Sequence, residues 1–207
     1  MINETFLLNI ADFIGIVSFA LSGFYVATKD RLDLLGIFIA SFITALGGGI
    51  IRDIVANKTS FTLSHSYPIL IVIFVLFLSI MFKLHKKDKI LKSNLMIFSD
   101  SVGLISFSIS GALVGLSADF SLFGVALLAV ITATGGGVMR DMLLNKIPLL
   151  LTSELYGTIS IIVGFIIYVL NQYGLINIFT LIIVFVCALL FRLFAYYKKW
   201  HLPHLDN

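Results

Sequence analysis

The sequence predicts an all-α integral membrane protein with seven transmembrane helices: two inverted three-helix repeats plus a seventh helix. Three observations carry this. Of 207 residues, 59% are hydrophobic and only 12% charged, against roughly 45–50% and 25% in soluble domains. Seven apolar stretches approach the ~20 residues that a helix needs to cross a hydrocarbon core of about 30 Å. The chain also repeats itself at a fixed offset of 88 residues, with three spans per copy. The apolar excess excludes a soluble enzyme, a disordered scaffold and a small disulfide-rich module. Segment length and missing alternation exclude barrel strands.

The spans are predicted at 5–27, 34–56, 67–84, 95–117, 122–144, 153–170 and 175–197. The first is retained rather than cleaved, because residues 1–6 carry Glu4 and no Lys or Arg, the wrong charge for a secretory leader. Pro68 and Pro148 stand at predicted helix starts, where proline is tolerated. Trp200, Tyr196 and Tyr197 read as an interfacial anchor after the last span. Cys187 lies inside an apolar run and is expected to be a packing residue. The units are 1–92, the first repeat with a basic loop; 93–172, the second, inverted repeat; and 173–207, the seventh helix and tail.

Seven spans put the termini on opposite sides of the membrane. Twelve of the fourteen basic residues, including Lys83, Lys86, Lys87, Lys89, Lys92 and Arg192, then fall on one side, against Arg52 and Lys58 on the other. Basic loops stay cytoplasmic, so the N-terminus is expected outside and the C-terminus in the cytoplasm of a prokaryotic plasma membrane. The Lys83 to Lys92 loop is read as a topology determinant, with binding of anionic lipid headgroups as its alternative.

Between Asp12 and Lys58, a shift of 88 residues gives 19 identities in 47 positions. Asp12 falls on Asp100, Ser18 on Ser106, Ser22 on Ser110, Gly47, Gly48 and Gly49 on Gly135, Gly136 and Gly137, and Arg52-Asp53 on Arg140-Asp141. An odd number of spans per copy inverts the second repeat, which directs a permeation or binding site to the interface of the two near the midplane.

Glycine costs about 1 kcal/mol relative to alanine inside a helix, so each triplet predicts a break. Such a break needs a wet interior, because lipid cannot satisfy freed main-chain groups. Close helix packing through small residues is the alternative; the symmetric pair, each copy followed by Arg-Asp, favours the break. On that reading, replacing both Gly48 and Gly136 by leucine abolishes flux and leaves a folded oligomer. Asp12, Arg52, Asp53, Asp100, Arg140 and Asp141 are ionisable groups at membrane depth, which face a bundle interior and mark a pathway. Matching depths predict the ion pairs Asp12–Arg52 and Asp100–Arg140, for gating or for structure, whereas Arg52 and Asp53, adjacent on a helix, are expected not to pair. Four carboxylates against two guanidinium groups favour a cation. Ser18, Ser22, Ser106, Ser108 and Ser110 make a hydroxyl-rich face that either solvates an ion or bonds across helices. His65, His85, His201 and His204 match no compact metal site, and the chain carries no nucleophile–base set, P-loop or dinucleotide fingerprint. No cofactor and no nucleic acid are expected.

The duplicated Gly-Gly-Gly-x-x-Arg-Asp resembles the prokaryotic members of the trimeric intracellular cation channel family, also described as a bacterial glycine transporter domain family with two copies. The resemblance implies a homotrimer with a pore in each protomer, conducting monovalent cations, chiefly potassium, with sodium as a second ion. It also implies kinks at both glycine triplets. The alternative function is a secondary transporter of glycine or another small amino acid, held between half-helix ends.

Overall fold

The computed structural model describes residues 4–86, 89–152 and 155–200. Seven long helices form the bundle: α1 (Glu4–Lys29), α2 (Leu34–Val55), α4 (Tyr67–Met81), α5 (Lys89–Ser117), α6 (Leu122–Leu143), α8 (Tyr156–Gln172) and α9 (Ile178–Tyr197). Two single-turn helices, α3 (Phe61–Ser64) and α7 (Leu149–Thr152), follow α2 and α6. These two were not expected, and they stand at equivalent positions of the two repeats. No strand occurs among the described residues. Five helices, α1, α2, α5, α6 and α9, are long and apolar enough to cross a membrane, while α4 and α8 are shorter apolar helices.

The repeat is legible in local chemistry. Asp33 and Ser121, at equivalent positions, N-cap α2 and α6 by accepting from the amides of Gly36 and Gly124, which satisfies main-chain donors that a helix start leaves free. Asn57 and Asn145 each adopt a left-handed conformation just beyond those helices (φ 52° for both), a position suited to asparagine. The amides of Lys58 and Lys146 then turn back onto the carbonyls of Asp53 and Asp141 at 2.8 Å. The repeated Asn-Lys is therefore a helix stop.

The centre of the bundle is the packing of α1 on α5. Its pairings run in opposite directions: as residues on α1 rise from Asp12 through Gly15 and Phe19 to Ser22, their partners on α5 fall from Ser110 through Phe107 and Gly103 to Asp100. The helices are antiparallel, and each contact recurs with the repeats exchanged. Reciprocal contact of this kind is the signature of twofold symmetry. α2 and α6 obey the same rule. A Cβ on Gly48 would lie 2.1 Å from the Thr132 carbonyl oxygen, and one on Gly136 would lie 2.2 Å from that of Thr44.

The glycine triplets correct an expectation. α2 and α6 are helical without interruption through Gly47–Gly49 and Gly135–Gly137, so the expected break is absent. The main chain saves its hydrogen bonds by staying helical, and the missing side chains let two helices touch backbone to backbone. Small-residue packing, the alternative considered from sequence, governs Gly48 and Gly136. Leucine at these positions would collide with main chain, so the expected folded oligomer of the double leucine variant is withdrawn.

α9 lies outside the repeats, packs on α5 and α8, and starts with a capping box in which Asn177 and Thr180 satisfy each other's amides. Cys187 is exposed rather than packed inside. It lines an apolar groove between α8 and α9. Trp200 stacks edge-on against Phe194 at 5.2 Å.

Gly48→Ala and Gly136→Ala should each destabilise the fold by about 1–3 kcal/mol, the usual cost of overpacking, whereas Gly174→Ala, which meets no atom within 4 Å but has φ +64°, should cost about 1 kcal/mol through backbone strain. Thermal unfolding in detergent measures all three.

Candidate functional site

Two polar stations sit inside the bundle, at opposite ends of the α1–α5 crossing. In the first, Arg52 Nη1 donates to Asp12 Oδ1 at 2.6 Å and also to Ser110 Oγ, while Ser110 Oγ donates to Asp12 Oδ1 at 2.5 Å. Arg52 Nε and Nη2 both reach Asp53 Oδ1 at 2.8 Å. The guanidinium thus carries two carboxylates, which is how a buried charge is kept without a large penalty. Asp53 Oδ2 accepts from the Phe61 amide at 2.9 Å, so the same carboxylate ties down the start of α3.

The second station repeats the plan with one change. Arg140 holds Asp141 through Nε and Nη2 at 2.8 Å, and Asp141 Oδ2 accepts from the Leu149 amide of α7 at 3.1 Å. Asp100, however, makes no ion pair with Arg140 among the described residues. Ser22 stands between them, donating to Asp100 Oδ1 at 3.0 Å and receiving Arg140 Nη1 at 3.4 Å. The Arg192 guanidinium of α9 lies 5.0 Å from the centre of the ring of the buried Tyr156 of α8. Asp100 is consequently held through the Ser22 hydroxyl, whereas Asp12 is held by an arginine directly as well as by Ser110.

The expected Asp12–Arg52 pair forms, but the Asp100–Arg140 pair is replaced by a serine bridge: Nη1, the nitrogen that in Arg52 reaches Asp12, in Arg140 meets Ser22 Oγ, which in turn bonds Asp100. Arg52 and Asp53 do pair, as do Arg140 and Asp141. A helix points adjacent residues about 100° apart, yet the long arginine side chain folds back across that angle. Arg192, counted from sequence among the cytoplasmic charges, is buried in the bundle. Sequence reasoning missed Tyr156 and Arg192: Arg192 lies outside the repeats, and Tyr156, which opens α8 as Tyr67 opens α4, is one residue off the 88-residue register.

Of the remaining candidates, Ser18 and Ser106 are buried, and Ser106 Oγ has no hydrogen-bond partner among the described residues. Ser108 donates to the Leu104 carbonyl of its own helix. The third glycine of each triplet differs from the first two: a Cβ on Gly49 or Gly137 would meet only the tip of Arg52 or Arg140, at 4.0 and 3.8 Å. Gly49 lines a cavity of about 10 Å³ together with Asp12, Arg52, Phe61 and Phe107, roughly the room one water needs. Lys58 and Lys146 lie beyond the stations, bonded to Ser117 at 2.5 Å and to Asp30 at 2.5 Å. Lys83 and Lys86 are described, and the side chains of Lys87, Lys89 and Lys92 lie outside the described residues, as do His201 and His204.

With this geometry in hand, the chain can be set beside known proteins. The family model described as Glycine transporter matches it twice, over residues 9–85 and 97–172. It is 34% identical to the membrane protein YvgT of Bacillus subtilis, over 94% of this chain and 96% of that one. Its fold matches the structure of a TRIC cation channel solved to explain conductance, with TM-score 0.84, 33% identity and coverage of 96% of this chain and 97% of that one. It also matches the TRIC trimeric intracellular cation channel orthologue from Rhodobacter sphaeroides, with TM-score 0.85, 26% identity and coverage of 93% and 98%.

Asp12→Ala should remove one carboxylate from a buried arginine and cost about 3 kcal/mol, in the range for breaking a buried pair. Asp12→Ala with Arg52→Met should cost more than Asp12→Ala alone, because Asp53 then loses its arginine; equal or smaller cost in the unfolding midpoint would contradict the double pairing.

Proposed function

We propose, from the premise that this chain belongs to the prokaryotic trimeric intracellular cation channel family, which also bears the description Glycine transporter, that it conducts monovalent cations, chiefly potassium, through each protomer of a homotrimer. It is a multi-pass membrane protein. The observation that carries the functional reading is the pair of buried carboxylate–serine–arginine stations at opposite ends of the antiparallel α1–α5 crossing. Intramembrane charge of this kind marks an ion pathway. Asp12 and Ser22 are ten residues apart on α1, so the stations are separated by about 15 Å along the helix.

The stations differ in the chemistry they offer an ion. At Asp12 the carboxylate Oδ1 is already taken by Arg52 and Ser110, so a cation at that end competes with the guanidinium for its ligand. At Asp100 the carboxylate has no ion pair with Arg140 among the described residues and shares its place with the Ser22 hydroxyl, an oxygen pair that suits a partly dehydrated potassium or sodium ion. Gly49 and Gly137 contribute by leaving space beside the arginines, while the first two glycines of each triplet hold α2 against α6. Hydroxyls of Ser18 and Ser106 continue the polar lining. The cytoplasmic end is the one carrying Lys83, Lys86, Lys87, Lys89 and Lys92, which would meet anionic headgroups, and the N-terminus faces out.

Purified protein in planar bilayers should show unitary currents in KCl, with a reversal potential that follows the potassium gradient. Saturable glycine uptake without such currents would replace the channel by the transporter. A C-terminal reporter should be active only on the cytoplasmic side; periplasmic or extracellular activity would reverse the assigned orientation.

A further inference from the structure

Between the two stations an aromatic pair occupies the crossing. Phe19 of α1 and Phe107 of α5 meet edge to face, with ring centres 5.3 Å apart and planes at 77°. They are 1% and 2% exposed. The two are equivalents under the 88-residue shift, so they stack across the pseudo-twofold axis itself. Each ring is seated against a glycine of the opposite helix: a Cβ on Gly15 would lie 2.2 Å from the Phe107 ring, and one on Gly103 2.5 Å from the Phe19 ring. Larger residues at 15 and 103 would push the rings off the axis. The small cavity beside Asp12, Gly49 and Arg52 has Phe107 in its wall, so the polar space of the first station stops at a phenyl ring.

Resting on the channel reading, we infer that Phe19 and Phe107 form a paired apolar septum that separates two polar half-pathways and gates conduction by excluding water. A cation at either station keeps carboxylate and hydroxyl ligands; between them it meets the two phenyl rings, which cannot replace its hydration shell. Apolar constrictions of this sort close a pathway by dewetting rather than by filling it with charge. Because the rings are related by the axis, displacing one removes the partner's edge contact, and the septum opens as a unit. The glycine sockets keep each ring in place without an added side chain, which accounts for two repeated glycines that lie outside the triplets.

The test uses the full chain in proteoliposomes, with Phe107→Leu, Phe107→Ala, Phe107→Ser and the matching Phe19 variants. Passive potassium efflux per folded protein should rise in the order Leu, Ala, Ser, by roughly tenfold or more at Ser, because wetting the gap then no longer requires hydrating a phenyl ring. Osmotic water permeability, measured on the same vesicles, should rise in the same order. If the Ser variants do not fold, the Leu-to-Ala step carries the comparison. Conduction by the unsubstituted protein with no rise in any folded variant overturns the septum and leaves the channel standing. A rise in water permeability without potassium flux in any sample keeps the septum and removes the cation channel. Flat water and potassium traces throughout overturn both.

Discussion

The bundle depends on one constraint: a charged side chain buried in a membrane protein must find its partners inside the protein. Six such groups are buried between the repeats, and the duplication supplies the solution. Arg52 takes Asp53 from its own turn and Asp12 from α1, and Ser110 crosses from the other repeat to join them. Arg140 does the same with Asp141 and Ser22. Neither station is complete within one repeat. The polar network therefore holds the two halves in register, while the paired glycines at 48 and 136 supply the close contact that non-polar packing in lipid needs.

The same arrangement sets what can move. Asp53 and Asp141 use their second oxygen to hold α3 and α7, so a change at either arginine is felt by the segment that follows its helix. The stations are not equivalent, however. Arg192 of α9 lies over the ring of the buried Tyr156 of α8, so the seventh helix adds a contact that the symmetry of the repeats does not supply. The duplicated plan thus ends in two different ways, with a direct arginine–aspartate pair at Asp12 and a serine bridge at Asp100.

Most of the fold was legible in the sequence, because hydropathy reports spans and the 88-residue offset reports the duplication. The Asp12–Arg52 pair was legible too, from matched depths. What failed was reading three glycines as a break. Glycine weakens a helix in isolation, yet the close approach of Thr132 and Thr44 carbonyls to Gly48 and Gly136 is a tertiary fact that no single segment encodes. The Asp100–Arg140 pair failed for a related reason: matched depth does not reveal that Ser22 lies between the Arg140 guanidinium and Asp100. Phe19 and Phe107 left a visible signal, a repeated aromatic among repeated small residues, but in a chain so rich in phenylalanine it did not stand out.

The central claim is that side-chain oxygens of the stations, rather than main-chain carbonyls of the glycine triplets, hold the permeating ion. Anomalous scattering from crystals grown with rubidium in place of potassium tests it most directly. The account predicts a peak within contact of Asp100 and Ser22, and none against Gly47 or Gly135. Density seated on the carbonyls of the triplets, with the Asp100 station empty, would contradict it.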